Sequence, residues 1–256
     1  MEIQSIFGLI LVTVFFYGAQ SAQFTFKNNC PFTVWPGTQN SGGRPPLSST
    51  GFELASKASS TLNVPASWSG RFWARTQCAS DAATGKFTCA TADCGLGQVY
   101  ILTCCNGAGP IPPASLLEFT LSAANNGQDF YDISLVDGFN LPLSITPQPQ
   151  LQGARSGRGS CPATTCSNNV NEVCPPELAV KGSNGSVIAC KSACLAFNQP
   201  QYCCTGDYGT PEKCRPTKYS LIFKHQCPQA YTYAYDDKSS LFTCTAAAKY
   251  VVTFCP

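Results

Sequence analysis

Charge is scarce in this sequence: Asp, Glu, Lys and Arg make up 12% of its 256 residues, about half the usual fraction. The net charge is near +2, which leaves neither a basic footprint for nucleic acid nor an acidic disordered tail. Histidine is scarcer still, with His225 alone. One imidazole excludes multi-His metal sites and leaves room for a single His-dependent mechanism. No Gly-x-Ser-x-Gly elbow accompanies it, and its place next to Cys227 reads as structural. Long apolar runs are also missing. The one at 6–17 is shorter than the ~20 residues of a membrane span, and small residues follow it at Gly18, Ala19, Ser21 and Ala22. That arrangement predicts a signal peptide over 1–21, although Glu2 is the only charge ahead of the run. No later segment predicts a transmembrane span.

Cysteine, in contrast, is abundant. Seventeen are present, a density that suits disulfides in an oxidising compartment. An extracellular location is expected. Strand-like runs occupy 24–27, 32–35, 61–64, 71–75, 116–121, 131–136, 219–223 and 250–254. They are short, rich in β-branched and aromatic residues, and separated by turn pairs such as Asn126-Gly127 and Asp137-Gly138. The pattern predicts an all-β dominated fold, a sandwich or flattened barrel. Two stretches differ: 76–105 holds five cysteines and 161–227 holds nine, too poor in core residues to fold without staples. Within the second, the period of Val187, Ile188, Cys190, Cys194 and Leu195 predicts a short helix over 186–195. Residues 147–160, rich in Pro and Gly, read as an exposed loop.

Glu118, Asp132 and Asp137 lie in or beside strand-like runs rather than on loop tips. Paired carboxylates are what glycoside hydrolysis needs, one protonated to deliver a proton and one ionised. Tyr231, Tyr233 and Tyr235 alternate just before Asp236, so on a strand they would share one face, either for sugar stacking or for core packing. Asn184-Gly185-Ser186 is an N-glycosylation acceptor. With the cysteines committed to disulfides no metal set remains, and no cofactor is expected.

The segment Gly85-Lys86-Phe87-Thr88-Cys89-Ala90-Thr91-Ala92-Asp93-Cys94-Gly95-Leu96-Gly97 resembles the signature of the plant thaumatin-like proteins, the fifth class of pathogenesis-related proteins, which includes osmotin-like members. Asn28-Asn29-Cys30-Pro31, Ser69-Gly70-Arg71-Phe72-Trp73, Leu117-Glu118-Phe119-Thr120-Leu121, Cys203-Cys204 and Phe254-Cys255-Pro256 resemble that family in order. The resemblance implies a thaumatin-like β-sandwich over 22–256, with a core of 22–75, 106–165 and 228–256, a small Cys-rich lobe at 76–105 and a larger one at 166–227. Sixteen cysteines pair in roughly two million ways. The resemblance selects eight bridges: Cys30–Cys255, Cys78–Cys89, Cys94–Cys105, Cys161–Cys244, Cys166–Cys227, Cys174–Cys190, Cys194–Cys203 and Cys204–Cys214. Here the sequence departs from the family, since Tyr100-Ile101-Leu102-Thr103 intervene before Cys104-Cys105. Cys104 is left unpaired, either buried and inert, bonded to a second molecule, or exchanged with Cys105.

The family's acidic cleft of one Arg, one Glu and three Asp falls on Arg71, Glu118, Asp132, Asp137 and Asp236, with Asp237 as a substitute for the last. Tyr231 and Tyr233 become candidates for sugar stacking. The implied function is antifungal plant defence by a secreted monomer that binds β-1,3-glucan of the fungal cell wall. Weak endo-β-1,3-glucanase activity is a further expectation, with Glu118 as acid and Asp132 as base. Two other classes stay open: a non-enzymatic membrane-permeabilising or osmotin-like stress protein, and an inhibitor of foreign hydrolases.

Overall fold

Alternation of apolar and polar residues turns the short runs into strands with one face inward. Ala22, Phe24, Phe26 and Asn28 are buried while their neighbours face outward. The computed structural model describes residues 21–42, 46–95, 105–122, 127–149, 161–245 and 247–256. The expected signal peptide up to residue 20, the 100–103 insertion with Cys104, and residues 150–160 of the expected loop lie outside the described residues.

The strands in chain order are β1 (Ser21–Asn28), β2 (Trp35–Asn40), β3 (Ser59–Pro65), β4 (Ser69–Ser80), β5 (Phe87–Thr91), β6 (Leu116–Thr120), β7 (Gln128–Ser134), β8 (Leu143–Pro149), β9 (Thr164–Cys166), β10 (Ala179–Lys181), β11 (Val187–Cys190), β12 (Phe242–Thr245) and β13 (Ala247–Phe254). One sheet runs β3-β1-β13-β8-β9, the other β12-β7-β6-β4-β2, with β5 paired to β4. Between them lies the main core. Phe24 of the first sheet meets Phe119 edge-on at 4.9 Å and Phe72 at 5.2 Å, both from the second. Such ring pairs contribute about 0.5–1.5 kcal/mol each beyond their burial. β1 and β13 pair in parallel, and Cys30–Cys255 links the segments just beyond them.

The outer face of the second sheet is covered at one end. Trp73 and Leu116 pack there under Ala92, Cys94, Cys105 and Ala114 as a second, smaller core. Cys78–Cys89 and Cys94–Cys105 fasten this cover. The β10–β11 hairpin and the helices α1 (Ala193–Phe197), α2 (Pro200–Cys203) and α3 (Lys218–Gln226) are stapled by Cys166–Cys227, Cys174–Cys190, Cys194–Cys203 and Cys204–Cys214, while Cys161–Cys244 ties β12 to the chain before β9. A fourth short helix, α4 (Asp237–Ser240), precedes β12.

Four local expectations change. The run at 219–223 is helical, within α3, because Thr217 and Ser220 form a capping box and Tyr219, Ser220 and Phe223 bury one helical face. The helix expected over 186–195 begins only at Ala193, where Ser192 accepts from the Leu195 N–H, and the preceding residues form β11. Residues 143–149 are strand although Pro147 and Pro149 lie in them. β9 pairs only with 143–145, so both prolines sit where no second neighbour needs an N–H. Of the run at 32–35, only Trp35 enters a strand, with Val34 in a single bridge to Leu54.

Candidate functional site

Four side chains stand in register across the outer face of the second sheet: Gln39 opposite Arg71, Arg71 opposite Glu118, and Glu118 opposite Asp132. Their strand neighbours Phe72, Leu117, Phe119, Tyr131 and Ile133 are buried in the sandwich, and period-two alternation turns the row outward. Directly opposed residues on neighbouring strands keep their Cβ atoms about 4.5–5.5 Å apart. Two carboxylates and one guanidinium are therefore held side by side by backbone pairing alone.

Arg71 is fixed from two sides. Its Nε donates to Gln39 Oε1 at 2.8 Å, and Nη1 lies 3.5 Å from Asp137 Oδ2. Asp137 comes from the turn after β7, whose geometry depends on Gly138. That residue has φ +93°, and a Cβ there would meet Cys190 O and Pro113 Cβ at 2.6 Å. At Gly109 a Cβ would come 2.7 Å from Gln39 Oε1 and 3.2 Å from Arg71 Nη2, so a side chain there would displace the ends of the Gln39–Arg71 pair. On the far side, Tyr231 docks onto the end of β7 by donating its N–H to Ile133 O and accepting from the Leu135 N–H. Its Oη donates to Asp237 Oδ1 at 2.8 Å.

The result is an open cleft of about 350 Å³ lined by Arg71, Glu118, Asp132, Asp137, Ser134 and Tyr231, among others. Burial pushes Asp132 up to about 8, helped by the charges of Glu118 and Asp237. Glu118 is also raised, again chiefly by burial; Arg71 opposes the shift and Asp137 adds to it. Asp132 Oδ2 is buried without a hydrogen-bond partner among the described residues. At neutral pH the row thus pairs a largely protonated acid, which can donate, with a carboxyl under the influence of a guanidinium.

Four of the five residues expected in the cleft line it, and Asp236 does not. Its side chain is 11% exposed. One oxygen accepts from Thr232 N–H and Oγ1 at 3.0 and 2.9 Å and lies 2.9 Å from Lys224 Nζ; the other accepts from Ser239 Oγ. Asp236 closes a turn, and Asp237 is the acid whose charge reaches Asp132. The tyrosines are separated for the same reason, because the chain turns after the single bridge at Tyr231 instead of continuing as a strand. Tyr231 lines the cleft, whereas Tyr233 lines a separate hollow with Ser192, Tyr202 and Arg215. Sequence reasoning missed Gln39, Ser134 and Gly109. Only strand register could have found the first two; Gly109 carries no local signal beyond a turn.

Asn184 sits at the exposed tip of the β10–β11 hairpin, its Oδ1 accepting from Ser186 N–H and Oγ. His225 is exposed near the end of α3. Among the described residues no His, Cys, Asp or Glu cluster is placed to hold a metal ion, and no helix is long and apolar enough to cross a membrane.

The family model described as the thaumatin family matches residues 28–256. Thaumatin-like protein 1 of Pyrus pyrifolia is 60% identical over 257 residues, covering 100% of both chains. A Prunus avium protein named glucan endo-1,3-beta-glucosidase is 57% identical over 251 residues, covering 98% of this chain and 97% of its own. The solved structure of a thaumatin-like xylanase inhibitor matches with a TM-score of 0.47 at 22% identity, covering 91% of this chain and 99% of that one.

Proposed function

This chain belongs to the thaumatin family, as a plant thaumatin-like protein, and from that premise we propose that its outward acid row binds β-1,3-glucan of fungal cell walls. The observation that carries the proposal is the in-register pair Glu118–Asp132 lining an open cleft, with Asp132 Oδ2 buried and unpartnered among the described residues beneath it. A polyhydroxylated ligand in the cleft can bond the accessible parts of both carboxyl groups. Sugar hydroxyls donate charge-assisted bonds to Glu118 and accept from the Asp132 proton. Arg71 offsets the negative charge of Asp137, so no excess of positive charge is present to favour an anionic polymer. The name carried by the Prunus avium relative points to the β-1,3 linkage.

Weak hydrolysis belongs to the same proposal, with the roles reversed from those expected of the sequence. Asp132, pushed up to about 8, holds the proton that a leaving oxygen needs, and Glu118, opposite Arg71, is assigned the part of its partner carboxyl. In this proposal the protein acts outside the cell as a monomer, since eight disulfides persist in an oxidising compartment, and Asn184 carries an N-glycan. The test is retention of the secreted, oxidised protein on insoluble β-1,3-glucan, with cellulose as control. Glu118→Ala should lower affinity about tenfold or more, the loss expected for a charge-assisted hydrogen bond. Wild type that stays in the supernatant overturns the proposal. If that protein still inhibits fungal growth, the membrane-permeabilising class takes its place.

A further inference from the structure

We propose that the saccharide site continues beyond the acid row onto the adjoining row of the same sheet face, where Phe130 forms a platform for a second sugar ring. The inference rests on the glucan reading and extends it to chain length. Phe130 precedes Asp132 by two residues in β7, so both point outward from the same strand, about 7 Å apart along it. Its cross-strand neighbours are Thr120 on β6 and Thr243 on β12. Ser69 stands opposite Thr120, their hydroxyls 3.1 Å apart.

Two features of this row set its chemistry. Phe130 is 40% exposed in a protein that buries Phe24, Phe26, Phe72, Phe119, Phe139 and Phe254 completely or nearly so. Its register partners are the neutral hydroxyl residues Thr120 and Thr243, with Ser69 next to Thr120, so the charges of the acid row stand one row away rather than beside the ring. A flat apolar ring with a hydroxyl rim complements a pyranose, whose C–H face is apolar and whose edge carries hydroxyls. The platform is continuous with the acid row, since Thr120 and Phe130 are the next outward residues after Glu118 and Asp132 on the same two strands. A ring bound over Glu118 and Asp132 therefore has its chain neighbour over Phe130. The occupant is the same uncharged β-linked glucan, and the platform reads length rather than linkage.

The test uses the full secreted protein with a β-1,3-linked disaccharide and hexasaccharide as probes, by calorimetry. Phe130→Ala should lower hexasaccharide affinity about tenfold, the cost of a lost ring contact, and leave disaccharide affinity unchanged; Phe130→Tyr should retain wild-type affinity for both. Amide resonances of Phe130, Thr120 and Thr243 in wild type should shift with the hexasaccharide, which decides the matter even if Phe130→Ala does not fold. Hexasaccharide binding by wild type without those shifts, or undiminished in folded Phe130→Ala, overturns the platform and leaves the acid row standing. No binding of either probe by wild type overturns both.

Discussion

Asp132→Asn is expected to be more stable than wild type at pH 8 and indistinguishable from it at pH 4. The reason is the proton that folding forces Asp132 to keep. Its folded value is pushed from 3.8 to about 8 by burial first, then by Glu118 and Asp237. At pH 4 the folded carboxyl is neutral and the unfolded one about half ionised, a difference of about 0.5 kcal/mol that lies within the error of a urea midpoint and vanishes at lower pH. As the pH rises towards 8 the unfolded chain ionises freely while the folded one does not, so stability is lost across that window. Four pH units correspond to about 5 kcal/mol. Solvent in the open cleft screens part of this, leaving about 3 kcal/mol at pH 8 as the expected gain on replacement. Urea midpoints at the two pH values measure it. Equal stabilities at pH 8 would mean that Asp132 ionises in the folded protein as readily as in water. A residue that destabilises the fold near neutral pH is best understood as one kept for its chemistry.

Replacing Cys30 and Cys255 together by Ser should lower stability by about 5 kcal/mol in the chain-entropy account, because the bridge closes almost the whole chain. The two cysteines are 225 residues apart. At this chain length the loss corresponds to about 10–20 °C in thermal midpoint. The effect should be global, since β1 and β13 are central strands of one sheet, paired in parallel through Asn28↔Phe254. Calorimetric scans of the two proteins decide it. A change of only 1–2 °C, about what a small local contact contributes, would show that strand pairing alone holds the two ends together.

Much of this architecture was legible because period-two alternation is a local signal. Phe24 and Phe26, Leu117 and Phe119, and Tyr131 and Ile133 each point to one face without knowledge of the partner strand. The sequence was misread where local signals are ambiguous. The run Tyr219–Phe223 suits strand or helix by composition, and the capping pair Thr217 and Ser220 decides for helix. Prolines in β8 argued for a loop until the short reach of β9 showed an unpaired edge. The acid row was visible only as separate carboxylates. Nothing in the spacing of Arg71, Glu118 and Asp132 states that β4, β6 and β7 pair in that register. The choice between Asp236 and Asp237 depended on a turn held by Thr232 and Lys224, an arrangement formed only by tertiary contact. Disulfide connectivity was never available from composition and came from family resemblance.

Sugar binding by the acid row requires that folding hold Asp132 protonated beside Glu118. The most direct measurement is a pH titration of the Asp132 side-chain carboxyl carbon by NMR, with and without a β-1,3-glucan hexasaccharide. A midpoint near 8 in the free protein, displaced when the saccharide is added, is the predicted result. A midpoint near the ordinary carboxylate value of about 4, unmoved by the saccharide, would contradict it.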